Sequence, residues 1–229
     1  MKNSFGLSGL IIASILTVFT SGCKEKEVVQ PSLTDIDGNV YKMITIGEQT
    51  WMAENLRTTK YRNGDPIENI TEGSIWSSTV KGAYCFYNND ETANKTEYGA
   101  LYNSYAVEDS RNIAPEGWHI PTDAEWDILI NYLGGDEKAG GKMKESGTLH
   151  WLSPNNYGSN SSGFTALPGG SRQGSAGKFN DKGYNGHFWS STDGGGPGVW
   201  NRSLSFFYAS VVREGYPKSN GFSVRCVKD

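Results

Sequence analysis

The stretch Pro121-Thr-Asp-Ala-Glu-Trp126 sets the start of the clearest helix in the chain. Thr122 and Glu125 have the spacing of a capping box, in which the hydroxyl accepts from one free backbone amide and the glutamate reaches back to another. Apolar residues then recur at the spacing of a single helix face, at Trp126, Leu129, Ile130 and Leu133. Gly134 and Gly135 are expected to end this helix. The pattern predicts an amphipathic helix with one buried side.

Short strands are expected on both sides of this helix, because apolar and polar residues alternate there between turn signals. An N-terminal hairpin is predicted from Tyr41 to Ala53, around the break at Gly47. Further strands are predicted at 82–87, 188–191, 199–207 and 221–227, and a second short helix at 136–145. The period between 98 and 107 is ambiguous and favours a helix slightly.

The composition supports many turns and excludes some classes of partner. The 229 residues include 29 glycines, which are costly inside long helices. We therefore expect an α+β fold with short antiparallel strands, two or three helices and long ordered loops. The formal net charge is −4. An acidic chain lacks the basic surface that nucleic acids require, so we expect no nucleic-acid partner.

The N-terminus has the features of an export signal. Lys2 precedes an apolar run from Phe5 to Thr20, and Ser21-Gly22-Cys23 follows it. A short apolar run behind a positive start indicates a removable signal peptide rather than a membrane span. The segment resembles a bacterial lipobox, in which the cysteine is acylated. We expect a signal peptide over 1–22, lipidation of Cys23, and a flexible tether over 23–33.

This N-terminal signal predicts that the protein is located in the cell envelope, as an outer-membrane lipoprotein held by its N-terminal lipid. The tether begins Lys24-Glu-Lys-Glu27. It resembles a signal that sends some Bacteroidetes lipoproteins to the outer face, and the alternative is a solvated spacer. Cys85 and Cys226 then remain for the folded part. Export permits a disulfide between them, and two buried free thiols are the alternative.

Several stretches resemble the Fibrobacter succinogenes major paralogous domain of exported Bacteroidetes and Fibrobacteres proteins. They occur in the family's order, and the resemblance predicts a single domain over 34–229. The matching stretches are Asp35-Ile-Asp-Gly-Asn-Val-Tyr41, Trp51-Met-Ala-Glu-Asn-Leu-Arg57, Gly117-Trp-His-Ile-Pro-Thr-Asp-Ala-Glu-Trp126, Ala166-Leu-Pro-Gly-Gly170, Phe188-Trp-Ser-Ser-Thr192 and Gly221-Phe-Ser-Val-Arg-Cys-Val227.

This family resemblance carries no established activity. The C-terminal half is also similar to the C-type-lectin-like architecture of formylglycine-generating enzymes, which implies a fold and not a chemistry. Members of the family often carry a cysteine just before the Gly-Trp-His stretch, and residues 113–116 contain none. By that comparison Cys85 is the only candidate partner for Cys226.

The sequence offers little catalytic chemistry. Cys85 and Cys226 are too far apart in sequence for a copper-oxidase pair, and His119, His150 and His187 lack the spacing of a metal motif. Three oxygen-rich turns could bind a structural calcium ion, and the sequence indicates no other metal. These turns are Asp35-x-Asp37-x-Asn39, Asn88-Asn-Asp-Glu91 and Asp193. A pair of carboxylates can cleave a glycoside only at a suitable distance from each other in three dimensions, and the sequence does not give that distance. We expect no catalytic residue and no other cofactor.

The remaining signal is a group of aromatic residues late in the chain. Trp118, Trp126 and Trp189 are assigned to the core. A ligand-binding surface is predicted from residues that combine aromatic faces with arginines, namely Trp200, Arg202, Tyr208, Arg213 and Tyr216. We expect a non-catalytic, lipid-anchored binding module for a glycan or a surface protein. The alternatives are an enzyme with an unrecognised metal or glycoside-cleaving site, and a structural or adhesive surface component.

Overall fold

The computed structural model describes residues 32–196 and 198–229. The predicted signal peptide, Cys23 and nearly all of the tether lie outside these residues. Among the helices of the described part, none is both long and apolar enough to cross a bilayer.

Five α-helices lie in the described part of the chain, together with a short 3-10 turn at Tyr87–Asn89. The helices are α1 (Gly73–Ser78), α2 (Glu91–Tyr98), α3 (Ser104–Val107), α4 (Asp123–Tyr132) and α5 (Asp136–Met143). The prediction of two or three helices was too low. Helix α2 buries only Asn94, so it has no apolar period to detect, and α1 buries only Trp76.

The strands are short and mostly antiparallel. They are β1 (Ser32–Thr34), β2 (Val40–Ile46), β3 (Gln49–Met52), β4 (Glu68–Asn69), β5 (Ala83–Cys85), β6 (Leu101–Tyr102), β7 (Trp118–His119), β8 (Ser171–Arg172), β9 (Phe179–Asn180), β10 (Asn185–Asp193), β11 (Gly198–Ser205), β12 (Val211–Pro217) and β13 (Val227–Lys228). The mixture of helices and mainly antiparallel strands confirms the coarse α+β prediction. The ambiguous segment 98–107 divides into the end of α2, strand β6 and helix α3.

Two sheets organise the fold. The larger has the strand order β1-β2-β3-β13-β7, so the predicted N-terminal hairpin pairs with the last strand of the chain. Val227 of β13 lies opposite Trp51 on one side and His119 on the other. The second sheet has the order β10-β11-β12 and is antiparallel throughout. Two smaller sheets, β4-β5-β6 and β8-β9, lie within the connecting loops.

Helix α4 packs between these two sheets, and its predicted capping box is present. The backbone N–H of Thr122 donates to Glu125 Oε2 at 2.7 Å, and the threonine Oγ1 accepts from the Glu125 amide at 3.3 Å. Trp126 is fully buried, with its ring centroid 4.8 Å from that of Trp51 in the large sheet and 6.0 Å from that of Phe188 in β10. The cap therefore sets the start of a helix whose buried side packs in one apolar cluster with residues of both sheets.

Buried cations hold the long loops. Arg225 donates from Nε to Asn55 Oδ1 at 2.8 Å, from Nη2 to the Thr165 carbonyl at 2.7 Å, and from Nη1 to the Phe164 carbonyl. Arg172 lies between the rings of Trp76 and Phe179 and donates to three loop carbonyls, those of Ile70, Thr71 and Gly177. Each guanidinium supplies the donors that a regular ladder would otherwise provide.

Cys85 and Cys226 are buried and are not bonded to each other in the structure, and their pairing stays a prediction. Cys85 packs with Trp76 and Leu101 in one apolar cluster, and Cys226 belongs to the separate cluster around Tyr41 and Trp189. Burial raises the pKa of the Cys85 thiol to about 12 and also raises the pKa of Cys226. A thiol with a raised pKa in apolar surroundings has little thiolate character, so neither cysteine is expected to be reactive.

Replacing Arg225 is expected to destabilise the fold strongly. Arg225→Met leaves the buried carbonyls of Phe164 and Thr165 unpaired, and a lost hydrogen bond from a charged group costs about 1.5–3 kcal/mol. We expect the free energy of unfolding in urea to fall by about 3 kcal/mol or more. As a control, Lys95→Met removes an exposed helical ion pair with Glu91 and should cost about 0.5 kcal/mol or less. Equal effects of the two variants would contradict a structural role for Arg225.

Candidate functional site

The two faces of the β10-β11-β12 sheet have different surroundings. Arg202 of β11 lies opposite Phe188 of β10 and Arg213 of β12, so these side chains share one face. That face lies against α4, through Asp123 and Asp127. The intervening residues of each strand point to the opposite face, because side chains alternate along a strand. The predicted ligand-binding residues are divided between these two faces.

Arg202 is buried rather than exposed, which corrects its assignment to a binding surface. Its Nη1 lies 2.5 Å from Asp123 Oδ1, and its Nη2 lies 2.6 Å from Asp127 Oδ1. Two carboxylates of α4 therefore neutralise the guanidinium and allow it to be buried. Burial raises the pKa of Asp123, and the hydrogen bonds from Arg213 and Arg202 outweigh this, so the carboxyl pKa is lowered overall.

Trp200 and Arg213 lie on the same helix-facing side and bind each other. The Arg213 guanidinium carbon is 3.5 Å from the centre of the Trp200 ring, and Arg213 Nη2 is 2.8 Å from Asp123 Oδ2. One ring face of Trp200 is thus covered by a side chain that is itself fixed by an ion pair. Stacking of a sugar on that ring face would require Arg213 to leave.

The opposite face carries a pocket of about 240 Å³ that brings together the two predicted tyrosines, Tyr208 and Tyr216. We refer to it as the tyrosine pocket. Apart from Leu204, whose side chain packs in the core on the other face, the lining residues of the strands occupy alternate positions, and the others come from the loop that joins β11 to β12. The lining residues are Asn185, His187, Ser203, Leu204, Ser205, Tyr208, Ser210, Val212, Glu214 and Tyr216.

A hydrogen-bonded chain lies beneath the tyrosine pocket. His187 Nδ1 is 2.8 Å from Ser203 Oγ, which donates to Asn201 Oδ1 at 3.1 Å. His187 Nε2 and Asn201 Nδ2 are buried and have no hydrogen-bond partner among the described residues. The imidazole stacks on Phe222, with ring centroids 4.9 Å apart. Desolvation in this apolar setting lowers the pKa of His187 to about 4.

The rim of the tyrosine pocket is aromatic and partly charged. The Tyr216 hydroxyl donates to Glu214 Oε2 at 2.9 Å, and 58% of Tyr208 is exposed to solvent. Beside Tyr208 runs a ridge of neighbouring rings with centroids 5.1 to 5.9 Å apart, made by Tyr184, Phe206, Phe207 and Tyr208. An exposed group of aromatic side chains next to a polar pocket is typical of a recognition surface.

Helix α5 holds the loop that carries Tyr208. The buried Lys144, which follows α5, donates from Nζ to the carbonyls of Ser205 at 2.7 Å and of Tyr208 at 2.9 Å. Burial lowers the pKa of Lys144 to about 8. A Cβ atom at Gly140 would lie 2.6 Å from the Ser210 carbonyl oxygen, so glycine is required for this close approach. The loop is fixed by buried contacts and does not depend on a ligand for its shape.

The sequence identified part of the tyrosine pocket. Tyr208 and Tyr216 were predicted, whereas His187, Ser203 and Glu214 were missed as site residues. Alternation along β11 correctly separates Trp200 and Leu204 from Ser203 and Ser205, and that pattern was the available signal. The positions of His187 and Glu214 depend on which strands pair, which a single sequence does not state.

The possible metal-binding groups are occupied by protein donors. Asp35 accepts from the Asn39 amide and the Tyr41 hydroxyl, and Asp90 caps α2 through the Ala93 amide. His119 lies between Glu125 and Asp229, at 2.7 and 2.6 Å, and His150 pairs with Glu145 at 2.9 Å. Within residues 32–196 and 198–229, no three His, Cys, Asp or Glu side chains are grouped to hold a metal ion.

A larger open cavity of about 470 Å³ lies elsewhere, beside Tyr61 and Tyr105. Its basic and acidic side chains are largely paired with each other. Arg111 binds Asp109 and Asp65 and covers the Tyr61 ring at 3.9 Å, and Glu108 binds Lys218. A ligand there would have to replace these ion pairs, so the tyrosine pocket is the better candidate.

The buried histidine is expected to give the fold a measurable acid sensitivity. The ordinary histidine pKa is about 6.5, so between that pH and about 4 the unfolded chain binds the proton that folded His187 excludes. Stability is therefore lost as the pH falls through this window, by up to about 3 kcal/mol.

This sensitivity can be checked by urea unfolding at pH 7.0, 5.5 and 4.5. His187→Phe should show a smaller decrease across the series than the unsubstituted chain. His119 has a raised pKa, so its contribution to stability is lost as the pH rises; it is present in both proteins and does not affect the comparison. An identical decrease in the two proteins would show that His187 is not the group that titrates.

Comparison with known proteins gives one result. The family model described as the Fibrobacter succinogenes major domain matches residues 44–228. No curated protein and no solved structure matches the chain. The match covers well over half of the chain and includes α4, the large sheet except β1 and the first residues of β2, and every side chain of the tyrosine pocket. The chain belongs to the Fibrobacter succinogenes major domain family.

Proposed function

We propose that this protein is a non-catalytic binding module that recognises a glycan at the cell envelope. The observation that carries the proposal is the tyrosine pocket, where Tyr208 and Tyr216 flank a polar floor on an exposed sheet face. Aromatic rings present apolar faces to the C–H faces of a sugar, while hydroxyl, carboxylate and imidazole groups bind its hydroxyls.

The size of the tyrosine pocket favours a small recognition unit. Sites for drug-sized molecules occupy roughly 300–1,000 Å³. A pocket of about 240 Å³ suits a single sugar ring, with the rest of a glycan lying across the aromatic ridge. The ridge exposes large rings, such as Phe207 at 48% and Tyr184 at 49%, which also suit a protein surface. A surface protein is therefore the second candidate partner.

The architecture and location belong to the same proposal. We retain a C-type-lectin-like arrangement as the proposed fold type and a lipid on Cys23 as the proposed anchor. A recognition module needs no cofactor and no metal for this activity, although a structural calcium ion would be compatible with it. Nucleic acid is not a proposed partner, because the chain is acidic overall.

Glycan binding should depend on Tyr208. Tyr208→Ala removes the exposed ring at the pocket, and we expect glycan binding by the purified full chain to weaken at least tenfold, equivalent to about 1.4 kcal/mol. Tyr132→Ala removes an equally exposed tyrosine from α4 and should leave binding unchanged. Trp200→Ala should also retain binding. Binding to a glycan array followed by calorimetry provides the measurement.

Two results would contradict the proposal. One is an array with no bound glycan, together with capture of a single purified surface protein that Tyr208→Ala weakens. The other is hydrolysis of a bound glycan by the unsubstituted chain, since that would make the protein an enzyme. Self-association of the chain that Tyr208→Ala abolishes would instead favour an adhesive component.

The proposed anchor has its own test. Cys23→Ala removes the thiol that would be acylated, so the protein is expected to leave the membrane fraction or to keep its signal peptide. Burial of acyl chains contributes about 0.8 kcal/mol per CH₂ group, and two chains hold a protein firmly. Fractionation and mass spectrometry of both proteins report the outcome. Unchanged membrane retention and mass would rule out lipidation at Cys23.

A further inference from the structure

We propose that the sugar bound in the tyrosine pocket is uncharged and donates a hydroxyl hydrogen bond to His187 Nε2, and that acidic sugars are excluded. This inference rests on the proposed glycan-binding function and specifies the class of ligand. Three observations carry it: the proton positions along the His187–Ser203–Asn201 chain, the lack of a partner at Nε2, and the charge of the pocket.

The hydrogen bonds that connect His187, Ser203 and Asn201 determine which imidazole nitrogen carries the proton. Ser203 Oγ donates its one hydrogen to Asn201 Oδ1 at 3.1 Å. The contact of 2.8 Å between Ser203 Oγ and His187 Nδ1 therefore requires Nδ1 to be the donor. A neutral imidazole carries one N–H group, so Nε2 is left as a bare acceptor. Only a group that donates a hydrogen bond can satisfy it.

The environment keeps the imidazole neutral. Phe222 stacks on one face of the ring and Tyr216 lies edge-on at 6.2 Å between centroids. The other acidic or phenolic side chains that line the same pocket are Glu214 on β12, which binds Tyr216, and Tyr208 in the loop after β11. Desolvation is the cause of the lowered pKa of His187, so above about pH 5 the ring remains an acceptor.

Tyr216 packs beside the imidazole. His187 lines the tyrosine pocket, and its Nε2 atom is shielded from water and has no hydrogen-bond partner among the described residues, which is unfavourable for a buried polar atom. Tyr216 is only partly buried, its hydroxyl bonds to the exposed Glu214, and its ring lies edge-on to those of His187 and Phe222. A ligand that displaced the Tyr216 ring would break these contacts, and its hydroxyl would give Nε2 its missing partner.

The charge of the pocket selects against acids. Among the described side chains that line it, Glu214 is the only carboxylic acid, and none is a lysine or an arginine. The carboxylate of an acidic sugar would meet another carboxylate above and an acceptor nitrogen below. Neither group can donate to it, and the like charges repel each other. A neutral sugar has hydroxyls that donate to both.

The test compares neutral and acidic sugars on the purified full chain. The probes are methyl glucoside, methyl galactoside, N-acetylglucosamine and glucuronate, titrated by NMR with ¹⁵N-labelled histidine. We expect at least one neutral sugar to bind, and glucuronate to bind at least tenfold more weakly. The Nε2 resonance should be that of an unprotonated ring nitrogen and should move when the neutral sugar binds.

Two variants complete the test. His187→Phe keeps a flat ring against Phe222 without the acceptor, and it should weaken the neutral sugar at least tenfold. His150→Phe changes a histidine outside the pocket and should not. The Nε2 resonance of the unsubstituted chain gives an answer even if His187→Phe does not fold.

The results separate this inference from the function on which it rests. A neutral sugar that binds without moving the Nε2 resonance, and equally well to His187→Phe, overturns the inference and leaves glycan binding intact. Glucuronate that binds as tightly as the neutral sugars also overturns it. If none of the four sugars binds and the glycan array is empty as well, the proposed function fails, and the inference fails with it.

Discussion

Buried cations that donate to loop carbonyls are the interaction on which this fold most depends. Arg172, Arg225 and Lys144 are fully buried, and each donates to two or three backbone carbonyls. Long loops that lack a regular ladder leave many carbonyl groups to satisfy in the interior. A guanidinium or ammonium group with several donors satisfies them together, and desolvation of the charge is offset by those same bonds. In the loops, these side chains supply the hydrogen-bond donors that backbone N–H groups supply in helices and sheets.

The same principle shapes the tyrosine pocket. Lys144 fixes the loop after β11 from below, and Gly140 lets α5 approach that loop closely. Tyr208 is therefore displayed from a rigid support, while Tyr216 lies on strand β12, bonds to Glu214 and packs edge-on against Phe222. The helix-facing side of the sheet uses its charges for internal ion pairs among Arg202, Arg213 and Asp123. The opposite face, which carries the tyrosine pocket, has polar groups without a partner among the described residues, namely His187 Nε2 and Asn201 Nδ2.

Local signals in the sequence predicted local structure well. The capping box at Thr122, the glycine end of α4 and the hairpin around Gly47 depend on neighbouring residues, and all were predicted correctly. Features that depend on which strands and helices pack together were not predicted. Alternation showed that Arg202 shares a face with Trp200, but not that this face meets two aspartates of α4. The sequence also left open whether Cys85 and Cys226 pair. Their places in two different apolar clusters depend on the packing of the sheets.

The order of strands in the large sheet has a mechanical consequence. Strand β1 lies at one edge of the sheet and, among the described strands, pairs with β2 alone, over three residues from Ser32 to Thr34. A pull applied at Ser32 acts first on this strand. Peeling β1 away breaks a few bonds at the margin and leaves β2, β3 and β13 joined, with the tyrosine pocket on a separate sheet. The described part of the chain can thus give up a short length under load while the tyrosine pocket keeps its shape.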